Sequence, residues 1–128
     1  MKKDMLAKQI SEMIQQTIPE KANVKQVAVY GEVTAASYMI YYYVKTEENQ
    51  KWHQCYKMYQ ELSLSEKTLE KAFSQIAQLL RANFSDEWSN FTLLIKTGTE
   101  MPQLLFDNSD LTEGSYEHMQ QWEKTYLV

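Results

Sequence analysis

Few residues in this chain can do covalent or metal chemistry. Two histidines, His53 and His118, and one cysteine, Cys55, supply every imidazole and thiol. His53 and Cys55 stand two positions apart, a spacing that puts both side chains on one face of a strand. With His118 they would make a metal-ligand set or a Cys–His nucleophile pair. The spacing is nonspecific, however, and a satisfied strand cysteine beside a surface histidine accounts for it more simply. Paired carboxylates occur at Asp86-Glu87 and at Asp107 and Asp110. Hydrolytic pairs need a concave, partly apolar setting that drives their pKa values apart, and nothing in the sequence marks one. Asp107-Asn108 with Asp110 has the look of an acidic metal loop, but the central glycine and spacing of an EF-hand are missing. No Gly-x-Ser-x-Gly occurs, and three glycines, Gly31, Gly98 and Gly114, leave no glycine-rich phosphate cradle. The expectation is a protein without cofactor, metal or catalytic site. A small enzyme using His53/Cys55 or the acidic loop stands as an alternative.

Charge is distributed unevenly. From Asp86 to Glu123 there are eight acids and one base, Lys96, a balance of −7 in a chain whose total is −4. Such a segment disfavours nucleic acid as a direct ligand and suits a basic partner, although a solvated face has the same composition. Nine tyrosines and three tryptophans are many for 128 residues. Both residue types dominate interface hot spots, and both also fill small sheets. Tyr41, Tyr43 and Trp52 fit the second role better. Tyrosine-rich faces that pack on a second copy would make a homo-oligomeric adaptor, a further alternative.

A chain of this length forms one domain, 1–128, able to bury a self-sufficient core. One cysteine cannot form an internal disulfide. The longest apolar run, Tyr38–Val44, is seven residues, against about 20 for a membrane span. Asp4, Lys8 and Glu12 interrupt the N-terminal region where a signal peptide would be apolar. The reading is cytoplasmic, with no membrane partner.

The elements that position these residues follow from periodicity. Lys25–Lys45 holds two alternating runs. One places Val27, Val29, Gly31 and Val33 opposite Ala28, Tyr30, Glu32 and Thr34; the other places Tyr38, Ile40, Tyr42 and Val44 opposite Met39, Tyr41 and Tyr43. Ala35-Ala36 is too short for a crossover, so the pair is an antiparallel hairpin whose turn also uses Thr34 and Ser37. Ahead of it, Leu6, Ile10, Met13, Ile14 and Thr17 mark an amphipathic helix from Lys3 to about Ile18, ended by Pro19. After it, alternation over Trp52–Met58 predicts a third strand. Ser63 or Ser65 caps a second helix with a stripe of Leu69, Ala72, Phe73, Ile76, Leu79, Leu80 and Phe84, ending near Asn83–Asp86. Strands follow at Phe91–Thr97 and, after Pro102, at Gln103–Asp107 on a sheet edge. Asn108–Gly114 is a loop, and Ser115–Leu127 a final helix carrying Tyr116, Met119, Trp122, Glu123 and Tyr126 on one face. The order α-β-β-β-α-β-β-α indicates an α+β two-layer sandwich, an antiparallel sheet of about five strands covered by helices.

From Glu87 onward, Trp88, Phe91-Thr92, Phe106-Asp107, Asp110, Tyr116-Glu117, Trp122 and Tyr126-Leu127 fall in an order that resembles the YezG/EsaG-type family of bacterial immunity proteins, or antitoxins. Tyr30-Gly31-Glu32-Val33 with the tyrosine-rich Tyr41–Val44 is similar to the family's first hairpin, and the helix ending at Ile18-Pro19 also fits. A common Tyr-Glu-Arg-Arg element of the family stands here as Tyr116-Glu117-His118-Met119. The resemblance implies binding without catalysis: neutralisation, inside the producing cell, of a cognate secreted polymorphic toxin, often a nuclease exported by a type VII system (LXG kind). An inhibitor of a nuclease can occupy its basic surface with carboxylates. Candidate contacts are Asp86, Glu87, Asp107, Asp110, Glu113 and Glu117, with Tyr116 and Trp122 as aromatic anchors; Trp88 and Trp122 also fit a core role.

Overall fold

Strand β1 (Val24–Val33) is apolar on both faces and sits at the centre of the sheet, so both faces have to be covered. The computed structural model describes residues 3–46, 51–83, 88–96, 101–108, 111 and 116–128. In chain order these form helix α1 (Lys3–Gln15), a short 3₁₀ turn (Glu20–Ala22), β1, β2 (Tyr38–Thr46), β3 (Trp52–Gln54), α2 (Cys55–Glu61), α3 (Lys67–Asn83), β4 (Asn90–Lys96), β5 (Gln103–Asp107) and α4 (Tyr116–Tyr126). The sheet order is β3-β2-β1-β4-β5, antiparallel throughout, with β5 on an edge as expected after Pro102. The class is α+β, with helices and strands in the expected sequence.

The alternation read from β1, β2 and β4 is the observed one. Register sets Val29 beside Tyr42 and Leu93, and Gly31 beside Ile40 and Phe91, on one face. Helices α1 and α3 cover it through Leu6, Ile10, Ile14, Leu69, Phe73, Ile76 and Leu80, all fully or almost fully buried. Each such side chain contributes about 1.5–3 kcal/mol of burial. The rings of Tyr42 and Phe73 meet edge-on at 6.1 Å. A hydrogen-bonded clamp ties α1 to this layer. The Thr17 hydroxyl donates to the Ile14 carbonyl at 2.6 Å, so the Tyr42 hydroxyl must donate to Thr17 Oγ1 at 2.7 Å. The Tyr59 hydroxyl of α2 donates to the Thr17 carbonyl at 2.5 Å.

The β1–β2 turn uses Thr34 and Ser37 as expected: the Thr34 N–H donates to the Ser37 carbonyl at 2.8 Å, and the Ser37 N–H to Thr34 Oγ1 at 2.9 Å. Arg81, in the last turn of α3, donates to the carbonyls of Thr34 and Ser37 at 2.7 and 2.9 Å and pins this turn to the helical layer.

Two local expectations are corrected. The strand expected over Trp52–Met58 ends at Gln54, and Cys55 begins α2. Cys55, Met58 and Tyr59 are buried at i, i+3 and i+4, a helical stripe that a short apolar segment does not distinguish from strand alternation. Ser63 does not cap α3; with φ 55° it closes α2. The N–H groups of Ser63 and Leu64 bond back to the carbonyls of Gln60 and Tyr59 at 3.1 and 2.8 Å, the Schellman pattern. Phe84, the turn at Gly98–Glu100 and most of the Asn108–Gly114 loop lie outside the described residues.

Gly31 is required by packing. A Cβ built there would lie 2.2 Å from Cε1 and 2.7 Å from Cζ of Phe91, a ring with no exposed surface into which to move. Gly31→Ala is therefore expected to lower unfolding free energy by about 1–3 kcal/mol, and Phe91→Leu in the same chain to return part of it. Urea denaturation measures both; an unchanged midpoint in Gly31→Ala would show that the ring has room.

Candidate functional site

The second face of the sheet differs in kind from the first. Alternation along β1 turns Ala28, Tyr30 and Glu32 away from α1 and α3, and register brings Tyr41 and Thr92 beside Tyr30. Helix α4 lies over this face. Its one fully buried residue is Trp122, 5 % exposed, with its ring 5.3 Å from Tyr30, 6.0 Å from Tyr43 and 5.4 Å from Tyr126. The indole N–H donates to Thr92 Oγ1 at 2.8 Å, which satisfies the one polar atom this ring must bury. Farther along, the Tyr43 hydroxyl donates to Glu123 Oε1 at 3.2 Å, while Lys45 Nζ and Trp52 Nε1 reach the Val128 carbonyl at 3.3 and 3.4 Å. The start of α4 thus lies at the Glu32 end of β1 and its close at the Lys45 end, antiparallel to β1.

At the first of these ends register assembles a polar row, Glu32 beside Asn90 and Asn90 beside Asp107. Glu32 Oε2 accepts from the Tyr30 hydroxyl at 2.9 Å, and Asp107 Oδ2 accepts from Asn90 Nδ2 at 3.1 Å. His118, from the first turns of α4, stands over the row, its ring 5.9 Å from Tyr30 and its Nε2 4.0 Å from Asp107 Oδ2. Leu105, Phe106, Asp107, His118, Trp122 and Tyr126 border a groove of about 350 Å³ between β5 and α4.

The sequence-derived candidates divide accordingly. Asp107, 53 % exposed at its side chain, Tyr116, 73 % exposed, and the exposed Glu117 lie at or near the start of α4 and the end of β5. Trp122 takes the core role, one of the two its sequence context allows: its ring is buried and holds α4 to the sheet. Asp86, Glu87, Asp110 and Glu113 lie outside the described residues. Glu32, Asn90 and His118 were missed as members of this site, because only strand order brings them beside Asp107. Trp88 packs on Phe106 at 5.0 Å and Phe91 at 6.3 Å, a core position. Tyr41, Tyr43 and Trp52 are buried or half-buried sheet residues, as expected.

His53 and Cys55 do not share a strand face, since Cys55 belongs to α2. Burial also pushes the Cys55 thiol up to about 11, which keeps it protonated at neutral pH and removes its nucleophilic form. Among the described residues, no three His, Cys, Asp or Glu side chains gather as a metal site, and no helix is long and apolar enough to cross a membrane.

Burial, followed by nearby carboxylates, raises the tyrosines of this face. Tyr43 is pushed up to about 12 by burial and then by Glu123; Tyr30 is raised by burial and then by its bond to Glu32; Tyr41 is raised by burial, then by Tyr43 and the carboxylates Glu123 and Glu32. On the opposite face, burial raises Tyr42. Unfolded tyrosine releases its proton near pH 10, and these four tyrosines do so in the folded chain only at higher pH. The stability these groups contribute is therefore complete below about pH 10 and is lost as pH rises from there towards 12 and beyond. Alkaline titration is expected to show tyrosinate absorbance rising together with loss of circular dichroism. Ionisation of all nine tyrosines in a chain that keeps its circular dichroism would contradict this.

No curated protein matches the sequence. A family model described as "Immunity protein YezG-like" matches residues 4–127, nearly the whole length. A chain of this fold, matched from α1 to the end of α4, belongs to the YezG-like immunity protein family.

Proposed function

We propose that this immunity protein neutralises a secreted nuclease toxin of the type VII (LXG) kind, in the cytoplasm of the producing cell, by binding alone. The observation that carries the reading is the family match over 4–127, since an immunity protein acts by binding a toxin partner. The carboxylates at the start of α4 add a surface suited to that partner. A nuclease holds its substrate on a basic surface, and Asp107, Glu117 and the half-buried Glu32 offer acceptors for lysine and arginine there. Tyr116 stands beside them with most of its ring exposed, and its hydroxyl accepts from Gln120 Nε2 at 2.9 Å. That bond within α4 favours one orientation of an otherwise exposed ring, which lowers the entropy lost on contact.

Catalysis through His53 and Cys55 loses its support, because the thiol is buried, protonated and on a different element from the strand that carries the imidazole.

Double charge reversal, Asp107→Lys with Glu117→Lys, tests the surface. Affinity for the cognate toxin is expected to fall by about 2–5 kcal/mol. Stability should change by no more than about 1–2 kcal/mol, since both side chains are exposed. Calorimetric titration and urea denaturation measure the two quantities. Unchanged affinity in a folded variant would remove this surface from the interface.

A further inference from the structure

We propose that Glu32 and Tyr41 on the sheet, with Glu123 on α4, form a receptor for one lysine ammonium group. Tyr41 stands in a row of three phenols. Its ring lies 5.8 Å from that of Tyr30 on β1 and 5.7 Å from that of Tyr43, two residues farther along β2. The two outer hydroxyls each hold a carboxylate: Tyr30 donates to Glu32 Oε2 at 2.9 Å and Tyr43 to Glu123 Oε1 at 3.2 Å. The middle hydroxyl holds nothing. Tyr41 is 6 % exposed, and its Oη is buried with no hydrogen-bond partner among the described residues. Buried polar atoms in proteins are nearly always paired, so this one marks a missing group.

The surrounding charge says which group is missing. Burial comes first in raising the Tyr41 hydroxyl, followed by Tyr43, Glu123 and Glu32, so both carboxylates act on it. Both are half-buried, yet neither has a cationic partner among the described residues, and a charge withdrawn from water is costly until it is paired. Each carboxylate has given one oxygen to a tyrosine and keeps the other. Those two oxygens and Tyr41 Oη make three acceptors, the number of donors on one ammonium nitrogen. A guanidinium spreads its donors over a flat fork, which suits a slot better than a ring of acceptors. A metal ion needs a fuller set of ligands, and no three His, Cys, Asp or Glu side chains gather among the described residues. Entry is at Met39, 37 % exposed, which faces Glu32 directly across the strand pair and precedes Tyr41 by two on the same face. Its unbranched, flexible side chain can move aside while the backbone stays in register. The inference rests on the toxin-binding reading only for the source of the lysine, which would project from the toxin surface.

The site can be tested without the toxin. N-acetyl-lysine methylamide is titrated at constant ionic strength into the full chain, isotope-labelled at tyrosine rings and methionine methyls, and followed by nuclear magnetic resonance. Its Nε-acetylated form is the neutral control. The expected result is saturable movement of the Tyr41 ring and Met39 methyl signals by the charged compound, with a dissociation constant of about 1 mM for so small a ligand. The neutral form should bind at least about tenfold more weakly, through loss of the charge-assisted bonds. Tyr41→Phe should weaken the lysine compound several-fold while leaving the urea midpoint unchanged or higher, because the hydroxyl it removes is bonded to nothing. Equal response to the two compounds, shifts confined to another part of the chain, or undiminished binding by Tyr41→Phe would overturn the assignment. A lowered urea midpoint in Tyr41→Phe would do so too, by showing that the hydroxyl already has a partner. Tighter binding of N-acetyl-arginine methylamide would overturn the choice of ammonium. If the lysine compound fails while the toxin binds, the site is refuted and the immunity reading stands. If the compound binds as expected and the toxin does not, the site stands and the immunity reading falls.

Discussion

Burial of β1 on both faces is the constraint on which the rest of this structure depends. A central strand with Val27, Val29 and Gly31 on one side and Ala28 and Tyr30 on the other has no face that tolerates water. On the first side the cover is an apolar helical layer, and the approach there is close enough that Gly31 leaves room only for the Phe91 ring. On the second side the cover is a single helix, α4, held by one buried tryptophan and a few hydrogen bonds. The two layers therefore differ in chemistry as well as in size.

That difference has a functional consequence. The α1–α3 side is packed mainly with apolar side chains, and the hydroxyls of Thr17, Tyr42 and Tyr59 are satisfied within the clamp. Under α4 the aromatic residues carry hydroxyls, and carboxylates follow them to the end of the sheet. One narrow helix cannot seal the whole face, so a groove remains along β5 with the half-exposed Asp107 at its border. The same arrangement that completes the fold thus leaves the Asp107 carboxylate half-exposed at the surface.

Much of the architecture was legible in the sequence, and the remainder was not for identifiable reasons. Side-chain period two is a local property, so the faces of β1, β2 and β4 could be read directly, as could the turn through Thr34 and Ser37. Pairing between distant strands is not local. Glu32 and Asp107 lie 75 positions apart, and only the insertion of β4 between β1 and β5, with Asn90 as the bridging residue, sets them in one row. Helix α2 was missed because Trp52–Met58 satisfies both periods over so few residues. Trp122 and Tyr116 look alike in sequence as aromatic residues of an acidic helix; the 3.6-residue period places one against Tyr30 and leaves the other exposed.

The most direct measurement is a viability count on cells expressing the cognate toxin, with and without this chain, paired with affinity capture of the chain from the same cells. Restored growth together with a stable complex of the two proteins is the expected result. Continued killing with the chain folded and no complex recovered would contradict the immunity role and return the self-associating and catalytic alternatives to consideration.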